Sequence, residues 1–96
     1  VKAIVIVTDA WAVPEFERAF LTCGDRGFTV IPDVRGKGRT GFKAGDRVHP
    51  GGSSLIFTVV QDDEAPTCLT FLKEVAEKSG VRAATRLFVA AVEEVA

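Results

Sequence analysis

The order of apolar segments predicts an α+β sandwich, with a four-stranded antiparallel sheet carrying two helices on one of its faces. Three observations lead there. Four short β-branched or apolar runs alternate with two segments of helical period, in the order β-α-β-β-α-β. The two β-α-β halves are alike in length and pattern. Most of the nine glycines, and much of the positive charge, fall in one stretch between the second and third strands.

The first run, "KAIVIVT" (Lys2–Thr8), is short and β-branched, as a buried strand is. "VPEFERAFLTCG" then reads as a helix. Pro14 suits its first turn, Glu15 and Glu17 suit the positive N-terminal end, and Phe16, Ala19, Phe20 and Cys23 share one face. Gly24 is its expected stop. "GFTVIPDV" (Gly27–Val34) is the second strand. Pro32 cannot donate a ladder hydrogen bond, which predicts an edge strand or a bulge. "SLIFTVV" (Ser54–Val60) is apolar on both faces and is expected to be central. "DDEAPTCLTFLKEVAEKSG" is the second helix, with Asp62 or Asp63 as its cap, Pro66 in its first turn and Gly80 at its end. Cys68, Leu69, Leu72, Val75, Ala76 and Ser79 share a face. "TRLFVAAV" (Thr85–Val92) is the fourth strand.

Two β-α-β halves joined in this order give the ferredoxin-like arrangement. One sheet face then lacks helices. Strands three and four are apolar on nearly every residue, which predicts that the open face is buried by self-association.

The chain has 96 residues, expected to form a single domain, 1–96. No apolar run approaches the roughly 18 residues of a membrane span. The start "AIVIV" lacks a charged flank and a cleavage site, so no signal peptide is expected. Two cysteines in no cluster fit a cytoplasmic, reduced protein. The net charge of −1 argues against a nucleic-acid binder. It is unevenly spread: Arg35 to His49 holds five basic residues against Asp46, or +4, leaving −5 elsewhere. An anionic or acidic partner is expected there.

Enzymatic chemistry finds little support. His49 is the only histidine, and no serine or cysteine has an evident base. "DDE" (Asp62–Glu64) reads as a helix start. His49 with Asp46 gives at most two metal ligands where a closed zinc site needs four, so no metal site is expected. An RNA-recognition strand needs interleaved aromatics that "SLIFTVV" lacks. An acylphosphatase-like hydrolase would need an asparagine, and the chain has none. "RGKGRTG" is not a P-loop, but its glycines let backbone N–H groups approach an anion, with Lys37 and Arg39 supplying charge.

"GFTVIPDVRGKGRTG" resembles the second strand and loop start of the PII signal-transduction proteins, with Gly27, Thr29, Val30, Val34, Gly36, Gly38 and Arg39 matching. "LFVAAVEEV" (Leu87–Val95) resembles the family's K-I-F-V-x-P-V-E-E segment. The resemblance implies a homotrimer with its sheets turned inward, and a nucleotide bound in clefts between subunits. Gly27 and Thr29 would lie by the base, and Gly36, Gly38 and Arg39 near the phosphates. It also implies a T-loop, here 36–53, that docks on a membrane transporter or an enzyme; Lys37, Phe42, Lys43 and Arg47 are its candidate contacts. No cofactor is required, and an ATP-, ADP- or AMP-type effector is expected.

The sequence also departs from the family pattern. The loop is shorter and the chain has no tyrosine, so tyrosine uridylylation is not expected. Thr40 replaces a glutamine used for magnesium and 2-oxoglutarate. The phosphate-binding B-loop is replaced by "SGVRAAT", where Gly80 lies, with Arg82 or Arg86 substituting for its lysine. The sequence ends at Ala96, before the family's R-x-R-T-G segment. The alternative is a PII-like interaction module that binds no nucleotide and responds to bicarbonate or a metal.

Overall fold

The computed structural model describes residues 1–22, 27–38, 41–43 and 52–96, with 36–38 and 41–43 described in backbone only. Strand β1 (Lys2–Asp9) leads through a 3-10 turn (Ala10–Ala12) into helix α1 (Val13–Thr22). Then come β2 (Thr29–Val34), two three-residue strands β3 (Gly36–Gly38) and β4 (Gly41–Lys43), and β5 (Ser53–Val60). Helix α2 (Ala65–Lys78) and a 3-10 turn (Arg82–Ala84) precede β6 (Thr85–Ala91).

The main sheet has the order β2-β5-β1-β6, and every neighbouring pair is antiparallel. β5 is central, as its two apolar faces require. β2 is an edge, and its register breaks between Ile31 and Val34, where Pro32 falls. Asp33 takes a φ of 57° there, a conformation that aspartate tolerates better than most residues.

Register assigns each side chain to a face. Ile4, Ile6 and Thr8 of β1 lie beside Thr58, Ile56 and Ser54 of β5, and beside Val89, Leu87 and Thr85 of β6. This face meets both helices. Ile4, Ile6, Ile56 and Val60 join Phe16, Phe20, Cys68, Leu72 and Ala76 in one core. Phe20 also stacks on Phe28 with ring centroids 5.2 Å apart, fixing α1 over the start of β2. Cys68 is buried, as its place on the apolar helical stripe predicts. Cys23 and Gly24 lie outside the described residues.

The opposite face carries Ala3, Val5, Val7, Leu55, Phe57, Val59, Thr29, Ile31, Arg86, Phe88 and Ala90. Among the described residues nothing covers it: Phe88 is 53% exposed, Val59 49% and Ile31 43%. Apart from Thr29 and Arg86 it is apolar.

One expectation needs correction. Neither Asp62 nor Asp63 caps α2. The helix begins at Ala65, with Glu64 in the cap position and no side-chain cap bond. Residues 61–64 form a turn closed by the Glu64 N–H on the Gln61 carbonyl at 3.0 Å, which carries the aspartates away from the helix end. Asp62 instead receives the Val1 amino group at 3.0 Å, and that hydrogen bond and charge hold its carboxyl below its ordinary pKa. Pro66 does fall in the first turn. The segment between β2 and β5 carries a short ribbon, in which Gly36 pairs with Lys43 and Gly38 with Gly41.

Candidate functional site

The two chain ends that flank the glycine-rich stretch are pinned side by side. Val34 pairs with Ser53 across the β2–β5 ladder, and the Ala10 N–H donates to the Gly52 carbonyl at 3.1 Å. Gly52 is buried with a φ of 69°, which is why glycine serves there. A shallow cleft of about 320 Å³ opens beside it, lined by Asp33, Val34, Arg35 and Gly52.

This end of the sheet is also where buried polar groups gather: Thr8, Asp9, Ser53, Ser54 and Thr85. The Thr85 hydroxyl donates to the Val81 carbonyl at 2.7 Å, so its oxygen accepts from Thr8 at 3.0 Å. Asp9 is fully buried and accepts from the Trp11 indole at 3.3 Å, leaving that ring half exposed. Sequence reading missed this cluster. The polar pair "TD" closing an apolar strand was the available signal, but its partners on β5 and β6 come only from tertiary pairing.

The segment after α2 is a self-satisfied turn. The Val81 N–H donates to Ala76 at 3.0 Å and the Gly80 N–H to Glu77 at 3.3 Å. These are the two bonds of a Schellman stop, and Gly80 takes the left-handed φ of 72° that it needs. Gly80 is a residue that the family resemblance puts at the nucleotide, and its N–H is thus engaged within the chain. Arg82 folds back: Nη1 donates to the Thr85 carbonyl at 3.3 Å and Nε lies 3.9 Å from Glu77 Oε1. Arg86 differs. It stands on the open face beside Val7, exposed, and makes no hydrogen bond or ion pair among the described residues.

Gly27 and Thr29 sit farther along β2. The Gly27 carbonyl accepts from Thr58 Oγ1 at 2.6 Å. A Cβ on Gly27 would meet nothing within 4 Å, so space does not demand glycine. Thr29 is exposed on the open face, beside Phe57. It lies five residues from Val34, roughly 16 Å along the strand, and on the edge opposite β6, roughly 14 Å across three strand spacings. Gly80, Arg82 and Arg86 lie together where α2 leads into β6, Gly36 and Gly38 belong to the β3–β4 ribbon, and Gly27 and Thr29 lie apart at the start of the opposite edge strand. Arg39, Thr40, Arg47 and His49 lie outside the described residues, as do the side chains of Lys37, Phe42 and Lys43. Among the described residues no three His, Cys, Asp or Glu side chains group as metal ligands, and no helix is long and apolar enough to cross a membrane.

The sheet order, the two helices on one face and the long segment between β2 and β5 define an α+β sandwich of the ferredoxin-like class. A family model described as nitrogen regulatory protein P-II matches residues 1–96, and the chain belongs to that family. It is thus a regulatory protein of the PII kind. A comparison with curated proteins finds no match.

Proposed function

We propose that the protein is a cytoplasmic, homotrimeric PII-type regulator. It binds an anionic small molecule, an adenine nucleotide, between subunits and controls a membrane transporter or an enzyme through its basic T-loop, 36–53. The observation that carries this reading is the open sheet face. A ligand reaching from Thr29 to Arg86 on one chain would lay phosphates across Phe57 and Val5, whose side chains offer them no polar partner. Closing the apolar faces of three copies on one another removes that surface from water and offers each ligand residues from two chains. Arg86 is the better substitute for the missing lysine, because Arg82 is occupied by Glu77 and Thr85.

Binding would act by population shift. Anion contacts at the loop base favour one arrangement of the loop, and the target reads that arrangement. Calorimetry with ATP, ADP and cyclic AMP tests this at roughly 100 µM protein, which reports binding near −5.5 kcal/mol. Heat with one of them, lost in Arg86→Ala, is the expected outcome; no heat with any sinks the nucleotide reading.

The closed turn at 79–85 favours a second reading, an interaction module that responds to bicarbonate or a metal. The Gly80 and Val81 N–H groups, engaged with Glu77 and Ala76, offer no phosphate cradle. Heat with bicarbonate or a divalent metal, and none with nucleotides, would select it.

A further inference from the structure

Two arginines follow α2, and the fold treats them differently. Arg86 presents its guanidinium from the open face. Arg82 is drawn back, with Nε 3.9 Å from Glu77 Oε1 and Nη1 donating to the Thr85 carbonyl at 3.3 Å. That carbonyl belongs to the peptide joining Thr85 to Arg86, so both guanidinium groups are rooted at a single peptide unit. We infer that Glu77 restrains Arg82, and that an anion gripped by Arg86 draws Arg82 off Glu77 as a second ligand. The inference rests on the proposed anion site and adds its regulation.

The physical balance favours such an exchange. Both members of the Arg82–Glu77 pair are largely exposed, with side chains 62% and 70% accessible. Water screens such a pair, and a separation of 3.9 Å is long for a charge-assisted bond. A phosphate offers several acceptor oxygens, two of which fit the fork of a guanidinium, and the Glu77 carboxylate offers only one contact at the edge of range. Glu77 also lies in the last turn of α2, at the negative pole of the helix. Its charge therefore opposes an anion in two ways: it occupies Arg82 and it repels the ligand directly. The Thr85 carbonyl holds Arg82 without charge and keeps its guanidinium close to Arg86 when Glu77 lets go.

The test uses Glu77→Gln, which keeps helix propensity and shape while removing the charge. Calorimetry with ATP and ADP compares the wild type, Glu77→Gln, Arg82→Ala and the double variant. Arginine Nε–H resonances are followed in 15N-labelled protein. Glu77→Gln is expected to bind about threefold to fivefold more tightly, the scale of an exposed ion pair. The gain should vanish in the double variant, and the Arg82 Nε–H resonance should shift on ATP addition. Binding by Glu77→Gln where the wild type shows none also supports the restraint. Wild-type binding with an unchanged Glu77→Gln affinity overturns the restraint and leaves the nucleotide reading standing. A gain that survives Arg82→Ala overturns it too, because Glu77 then acts by repulsion alone. Absence of binding in both proteins overturns the restraint together with the nucleotide reading.

Discussion

Replacing Phe88 by glutamate should dismantle the proposed trimer and leave the subunit folded. Phe88 stands on the open face opposite Val5, pointing away from the core, with 53% of its surface exposed in the single chain. A phenylalanine side chain carries about 150–250 Å². Half of that is ~100 Å², worth ~2.5 kcal/mol per copy at about 25 cal/mol per Å². Three copies lose ~7 kcal/mol, a factor of about 10⁵ in the trimer association constant. The three carboxylates, placed among Val5 and Phe57 without partners, add to that cost. Sedimentation velocity across a concentration series is the assay, with circular dichroism as the check on fold. The expected result is a wild-type trimer and a Phe88→Glu monomer with an unchanged spectrum. A variant that sediments like the wild type would show that this face is not what the copies share, and would refute the reasoning.

Two glycines in the candidate site should respond differently to alanine. Gly80→Ala forces a side chain into a φ of 72° and is expected to cost about 1 kcal/mol, read as a lowered Tm. Gly27→Ala meets nothing within 4 Å and should leave Tm nearly unchanged, so any loss of nucleotide binding there reports contact with the ligand. Thr85→Val removes the acceptor of Thr8 and the donor to Val81, and should cost about 1–3 kcal/mol in urea unfolding, because it leaves a buried hydroxyl unmet.

Much of the fold could be read from local pattern. The position of β5 followed from apolar residues on both of its faces, and the break in β2 followed from Pro32 having no N–H. Phe16, Ala19 and Phe20 bury as their spacing predicts. The errors arose where a local rule met a competitor. Asp62 and Asp63 are good cap residues, but the turn at 61–64 set the helix start beyond them. The β3–β4 ribbon escaped notice because its glycines carry no side-chain signal. At the candidate site, the sequence supplied residue types but not their states. It could not tell Arg82, drawn back onto Glu77, from Arg86, presented on the sheet. It did name Gly80 as the helix stop, and that is where the Gly80 N–H is spent. The state of each arginine depends on which groups meet across the turn, and pattern does not encode that.

The pinning of Val34 to Ser53 and of Gly52 to Ala10 has a consequence for how this chain can change. The sheet closes its own ladder at Val34 and Ser53, on either side of the segment 35–52. Closure entropy grows slowly with length, and doubling such a segment costs only about 0.6 kcal/mol. The body therefore works as a socket and the loop as an exchangeable bit. A longer, shorter or differently charged tip can be fitted without redesigning the frame that carries it.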